Sequence, residues 1–226
     1  MTPFIVAIDG PAGSGKSSVS RAVALELGFG YLDTGAAYRA LAWAVLRNPE
    51  LALEQLTEAQ IDEAFEYSIS TDPSDYWVRV GGTDVTSAIR ESQIAESVSK
   101  VARIPAVRTY MKAKTLQLVS LAPNEAVVVE GRDITTVVAP DAKVQILLTA
   151  SEAVRLERRS AELVGANAAA LQRQVIERDA SDSKVVDFMT PAPGVQLVDS
   201  SDLNFEQTVQ AVIDLIERAN SKDSND

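Results

Sequence analysis

The sequence predicts an α/β fold, with a parallel sheet covered by helices on both faces. Three observations predict it. Short apolar runs alternate with stretches of helical periodicity along most of the chain. Two runs, Ala126 to Val129 and Val144 to Leu148, are nearly unbroken in apolar side chains, as strands buried on both faces must be. Four strands end in polar residues, at Asp9-Gly10, Asp33-Thr34, Glu130-Gly131 and Asp199-Ser200. In a doubly wound sheet, ligands gather at that edge.

The first strand is Phe4-Ile5-Val6-Ala7-Ile8. It runs into Gly10-Pro11-Ala12-Gly13-Ser14-Gly15-Lys16-Ser17, and a helix from Ser18 to Leu27 follows, with Val19, Val23, Ala24 and Leu27 on one face. Strand, glycine-rich turn and helix form the setting of a phosphate-binding loop, or P-loop. The glycines let several backbone N–H groups point at one anion, and the helix adds the positive end of its dipole. Lys16 reaches the outer phosphates and the Ser17 hydroxyl can bind a magnesium ion. The bland alternative is an ordinary glycine-rich turn.

Gly28 and Gly30 end the first helix, and Tyr31-Leu32-Asp33 is a short strand. Thr34-Gly35 turns into a helix whose buried stripe is Tyr38, Leu41, Ala42, Val45 and Leu46, with Arg39 off it, until Pro49 stops it. Residues 57 to 66 read as a short acidic helix. Period-two alternation follows in Tyr67 to Thr71 and, more loosely, in Tyr76 to Val80. Gly81-Gly82 turns the chain before Thr83-Asp84-Val85. This predicts a small antiparallel insert, the alternative being a surface hairpin. Residues 91 to 102 and 105 to 120 are helical. Ser151 caps a helix to about Leu163, and a second helix runs from about Ala168 to Asp179. Val195 to Val198 is the last strand and Phe205 to Ala219 the last helix. The polar tail Ser221 to Asp226 is expected to be disordered.

Composition removes several chemistries. At 226 residues, with 46% hydrophobic, the chain suits one large domain with a small insert. It has no Cys and no His, so thiol nucleophiles, disulfides, histidine acid–base catalysis and His or Cys metal sites are excluded. A net charge of −11 repels nucleic acid and anionic membranes, so any anion site must be a local cluster of Arg and Lys. A strand beginning by Phe4 leaves no room for a signal peptide, and no apolar run approaches a membrane span.

Glu130 closes an apolar strand, where a carboxylate resembles the second magnesium-organising element of phosphate-loop enzymes. It would hold the ion directly or through water. The alternative is a capping or salt-bridged carboxylate. Arg155, Arg158 and Arg159 lie on one predicted helix, where Arg155 shares a face with either of the others. Their anions are either nucleotide phosphates or the neighbouring Glu152, Glu157 and Glu162. Arg39, Arg108, Arg132 and Arg178 follow predicted strand ends or helices and, beside a P-loop, offer a second anion site.

Four segments together carry a resemblance. The stretch Ile8 to Ser17 is similar to the opening of bacterial cytidylate kinases. So are Leu32-Asp33-Thr34-Gly35-Ala36-Ala37-Tyr38-Arg39, Glu130-Gly131-Arg132-Asp133 and Glu177-Arg178-Asp179-Ala180-Ser181-Asp182-Ser183. Order and spacing match over essentially the whole chain, including the antiparallel insert, and the second and third segments are far more specific than the first.

The resemblance implies a P-loop NTPase-type sheet, an acceptor-binding β insert and a helical lid. It implies transfer of the ATP γ-phosphoryl group to CMP or dCMP with Mg2+. ATP would be held by Gly10, Pro11, Ala12, Gly13, Ser14, Gly15, Lys16, Ser17, Ser18, Arg155 and Arg159. Lys16, Arg132 and Arg178 would be catalytic, and Ser17 with Glu130 would hold the metal. CMP would be held by Thr34, Arg39, Ser99, Arg108, Arg132, Asp133, Arg178 and Asp182, with Asp133, Arg108 and Ser99 reading the base.

Cytosine presents an amine donor beside ring-nitrogen and carbonyl acceptors. A carboxylate can accept from the amine while Arg and Ser donate to the acceptors. Uracil would set a carbonyl against the carboxylate. One departure stands out. The arginine that many relatives carry after the lid aspartate falls on Val185 here, with Lys184 beside it as a point charge without a planar fork.

The expected division is a core (about 1–66, 121–150 and 188–220), an acceptor region (about 67–120) and a lid (about 151–187). A cytoplasmic monomer is expected. The alternatives are a P-loop kinase for UMP or AMP, or a nucleotide-dependent switch or binding module.

Overall fold

In the computed structural model, which describes residues 2–48, 57–162 and 187–223, β1 (Phe4–Asp9) lies at the centre of a five-stranded parallel sheet. β6 (Ala126–Gly131) and then β2 (Gly30–Asp33) flank it on one side, and β7 (Val144–Thr149) and then β8 (Gln196–Asp199) on the other. All four pairings are parallel, so every carboxyl end emerges on the same edge.

Period-two alternation divides these strands between two cores. Val6, Ile8, Val128, Ile146 and Leu148 face α1 (Lys16–Leu27) and the C-terminal helix α7 (Phe205–Asp223). That layer is closed by Val19, Val23, Val212, Ile213 and Ile216. Ala7, Leu32, Val127 and Val129 face the other way. They pack with α2 (Thr34–Arg47), α3 (Glu58–Phe65), α4 (Ser92–Val101) and α5 (Pro105–Leu121). Both faces are covered, which explains the unbroken apolar reading of β6.

The antiparallel insert exists as β3 (Tyr67–Ile69), β4 (Val78–Val80) and β5 (Thr83–Asp84), paired in that order. It is more than a surface hairpin. Tyr67, Ile69, Val78, Val80 and Val85 are buried in the larger core, and the Tyr67 ring stacks on Phe65 at 5.0 Å. Pro105 opens α5 at a position where its missing N–H costs no hydrogen bond.

The structure differs from the sequence reading at several points. Leu46 was expected in the buried stripe of α2 but is 47% exposed; Ala36, Ala37 and Ala40 fill that face instead. Arg39, expected off the stripe, is half-buried because Asp33 draws its guanidinium inward. α3 packs on α5 and β3: the Asp62 carboxylate accepts from Tyr110 and Lys114. The tail expected to be disordered from Ser221 continues α7 through Asp223. A π-helical turn at Ile134–Val138 was not anticipated. α6 (Glu152–Glu162) begins where Ser151 was expected to cap it; the helix expected at 168–179 lies outside the described residues. Among the described residues no helix is long and apolar enough to cross a membrane.

Candidate active site

The turn between β1 and α1 is shaped by its glycines. Gly13 and Gly15 take φ of 77° and 85°, the left-handed region that side chains disfavour. At Gly13 a Cβ would also stand 2.5 Å from the Arg155 carbonyl oxygen, so α6 packs directly on the loop. Lys16 opens α1 with its Nζ 3.4 Å from the Pro11 carbonyl. Gly10, Pro11 and Ser14 are buried, Ala12, Gly13 and Gly15 half-buried, and Ser17 and Ser18 exposed.

Strand register brings three acidic groups to the same edge. Glu130 pairs with Asp33 on one side and Ile8 on the other, so Asp33 and Glu130 share a face of the sheet, turned toward α1. Glu130 is 1% exposed. Its Oε2 accepts from the Ser17 hydroxyl at 2.9 Å and its Oε1 from the Tyr31 hydroxyl at 2.6 Å. Burial, and then Asp33, push its carboxyl up to about 7 against the pull of Lys16. Asp33 caps α2 by accepting from Ala36 N, and its other oxygen accepts from Arg39 at 2.9 Å.

Asp9 points to the opposite face. Its carboxylate accepts from Ile134 N, Thr135 N and Thr135 Oγ1, at 3.0, 2.8 and 2.7 Å. It therefore fixes the chain that follows Arg132 and Asp133. Burial raises its pKa despite those bonds. Gly131 is equally constrained, since a Cβ there would lie 2.7 Å from Thr34 Oγ1 and Ile134 Cδ1. Thr34 is buried, and its hydroxyl donates to the Glu130 carbonyl at 2.7 Å.

Beyond this edge, Arg108 Nη2 on α5 donates to Asp133 Oδ2 at 2.8 Å. Burial holds the Asp133 carboxyl above its ordinary range, with Arg108 pulling it down. Arg132 is half-buried, its Cζ 4.3 Å over the Phe188 ring. Ser99 is half-buried on α4.

Two arginines of α6, Arg155 and Arg158, donate to the loop. Arg155 is 6% exposed, and its Nη1 donates to the Ala12 carbonyl at 2.9 Å. Arg158 Nη1 donates to Ser14 O at 3.1 Å and Ser200 Oγ at 2.9 Å, and its Nη2 to Ser200 O at 2.9 Å. Carbonyls of the loop, and for Arg158 also that of Ser200, accept from these guanidiniums. Arg158→Ala is expected to cost about 2 kcal/mol, lowering Tm by roughly 4–8 °C. A thermal melt checks this; a merely solvated face predicts almost no change. The Arg159 side chain, and the whole of Arg178, Asp182, Lys184 and Val185, lie outside the described residues.

Sequence reasoning missed Tyr31, Phe188 and the structural task of Asp9. Tyr31 was visible as a strand residue two before Asp33, but only the pairing with β6 aims its hydroxyl at Glu130. Nothing local marks Phe188.

The oxygen set at Ser17 and Glu130 suits a hard divalent cation, and no cluster of three acidic groups forms a protein cage among the described residues. One hydroxyl and one carboxylate fit an ion that takes its remaining ligands from phosphates and water. In the metal-free protein the raised Glu130 group has a further consequence. The folded state holds that proton up to about pH 7, whereas the unfolded chain releases it near 4.3. Its contribution to stability is present below that lower value and fades as pH rises toward 7. Glu130→Gln should therefore gain Tm relative to the parent between pH 5 and 8; pH-resolved melting curves measure it.

The chain matches the family model described as "Cytidylate kinase" over residues 6–218. It is 43% identical over 214 residues to the cytidylate kinase of Streptomyces avermitilis, covering 94% of this chain and 92% of that one. It is 44% identical over 220 residues to the cytidylate kinase of Cutibacterium acnes, covering 95% and 96%. To that of Mycobacterium leprae it is 41% identical over 224 residues, covering 96% and 97%. A P-loop at the head of a five-stranded parallel sheet, an antiparallel insert and near full-length identity above 40% agree: this chain belongs to the cytidylate kinase family.

Proposed function

We propose that this phosphotransferase moves the γ-phosphoryl group of ATP to CMP or dCMP, giving ADP and CDP or dCDP. The observation that carries the reading is the Arg108–Asp133 pair, 2.8 Å apart, on the same edge as the P-loop and next to Arg132. A switch has no need of such an acceptor pocket.

Gly10 to Ser18 form the ATP cradle, and Lys16 balances charge on the outer phosphates. Ser17 and Glu130 would hold Mg2+, which would supply neutralisation of charge on the phosphates when bound. Thr34, Arg39 and Arg132 bind the acceptor phosphate. Arg39 arrives pre-oriented by Asp33, which limits the order it must gain on binding. Ser99, Arg108 and Asp133 read cytosine, and Arg178 and Asp182 complete the acceptor side. Arg155 and Arg158 act by holding the loop's carbonyls, which keeps its N–H groups facing the nucleotide. Phosphoryl transfer asks for positioning and charge neutralisation rather than a His or Cys, and this chain has neither. The core, acceptor and lid portions keep the boundaries given above. A monomer acting in the cytoplasm completes the reading.

Steady-state rates with CMP, dCMP, UMP and AMP test the assignment. CMP or dCMP should give the highest kcat/KM. A preference for AMP or UMP would remove the base-reading role of Asp133, and tight ATP binding without turnover on any acceptor would favour a switch.

A further inference from the structure

Phe188 has no part in the roles described so far, yet it is 2% exposed and meets one of the central arginines. It lies in the irregular segment before β8. There the Asp187 carboxylate accepts from Met189 N at 2.9 Å and Thr190 N at 3.1 Å, so the chain on either side of Phe188 is tied down. Phe188 shares a small cavity wall with Asp9 and Thr135. Those two residues are the ones that fix the backbone after Arg132. On the other side of Arg132, Gly131 is packed too closely for a Cβ. The backbone of Arg132 is thus held from both directions, while its long side chain keeps several rotatable bonds of its own.

We propose that Phe188 is a positioning residue, whose buried ring face orients the Arg132 guanidinium over the acceptor-phosphate site. The inference rests on the reading of Arg132 as a phosphate ligand. At 4.3 Å the guanidinium carbon is well inside cation–π range of the ring. A contact with the ring face takes up no hydrogen-bond acceptor, so the fork that grips phosphate oxygens is not spent on a carboxylate there. The ring also brings no opposing charge. Asp33 and Asp133 hold Arg39 and Arg108 by partly neutralising them. The Phe188 contact itself adds no such neutralisation.

The test compares Phe188→Leu, which keeps apolar bulk but removes the ring, with Phe188→Tyr, which keeps the ring. Both are also placed in an Arg132→Met background. CMP is varied at saturating ATP and ATP at saturating CMP, below the melting temperature of every variant. Phe188→Leu should lower kcat/KM for CMP by about three- to thirtyfold, with the KM for ATP unchanged within twofold. Phe188→Tyr should recover most of that loss. In the Arg132→Met background, Phe188→Leu should add nothing further. The inference is overturned if the loss for CMP stays under twofold, if ATP and CMP suffer equally, or if the loss persists without Arg132. Should Arg132→Met alone leave CMP kinetics intact, the phosphate-ligand reading falls and takes this inference with it. A damaging Arg132→Met beside a silent Phe188→Leu would sink the positioning role only.

Discussion

Replacing Asp133 with alanine is expected to lower kcat/KM for CMP by about a hundredfold or more, while the KM for ATP moves less than threefold. The size follows from the chemistry of unpaired groups. A site built to hydrogen-bond a substrate discriminates far more strongly than an apolar pocket, because its buried polar groups are otherwise stranded. In the substituted protein the cytosine amine would lose its acceptor. Arg108, now held at 2.8 Å, would lose its counter-charge in a half-buried position. Asp133→Asn separates the two losses. Its amide oxygen can still accept from the amine, and its amide nitrogen can donate to the carbonyl that uracil presents there. The asparagine variant should therefore lie between parent and alanine with CMP, and narrow the ratio of CMP to UMP. Parallel kcat/KM measurements with both acceptors decide it. Equal losses for ATP and CMP in Asp133→Ala would remove the base-reading role.

Lys16→Met is expected to lower kcat by about a hundred- to a thousandfold, the scale seen when one preorganised charge is removed from a developing anion. The KM for ATP should rise less, because the loop's N–H groups and the dipole of α1 remain. Its contact with the Pro11 carbonyl is long, 3.4 Å. A second readout belongs to this variant. Lys16 is the main charge restraining the upward push on Glu130, so without it that carboxyl should bind its proton still more tightly in the metal-free enzyme. Methionine should thus shift the pH dependence of stability upward as well as slow turnover. A kcat within tenfold of the parent would exclude Lys16 from charge neutralisation on the moving phosphoryl group.

The two substitutions differ in how visible their targets are in the sequence. Lys16 could be assigned locally, because strand, glycine turn and helix are consecutive and their physics is short-range. The insert was legible for a similar reason: Tyr67-Ser68-Ile69 and Val78-Arg79-Val80 alternate with period two, and Gly81-Gly82 supplies a turn. Asp133 depended on resemblance, since nothing in its neighbours tells that a helix 25 positions earlier will bring Arg108 against it. The α2 stripe was misread at Leu46 because small alanines pack where α2 meets the sheet and α4, and hydropathy alone favours the larger side chain. The α6 arginines were left open between phosphate and glutamate. In the structure Arg155 and Arg158 donate to the carbonyls of Ala12, Ser14 and Ser200, and a backbone acceptor carries no side-chain signal.

The sequence by itself determined the parallel architecture, the phosphate loop, the antiparallel insert and the polar edge where the strands end. Each is dictated by periodicity or by backbone freedom within a few residues. Only the tertiary structure decided how that edge is wired. It set Glu130 between Ser17 and Tyr31, turned Asp9 away to hold the Arg132–Asp133 segment, brought Arg155 and Arg158 against the loop, and brought Phe188 under Arg132. Those contacts join residues far apart in the chain. Their partners are chosen by strand register and helix packing, which no local stretch of sequence encodes.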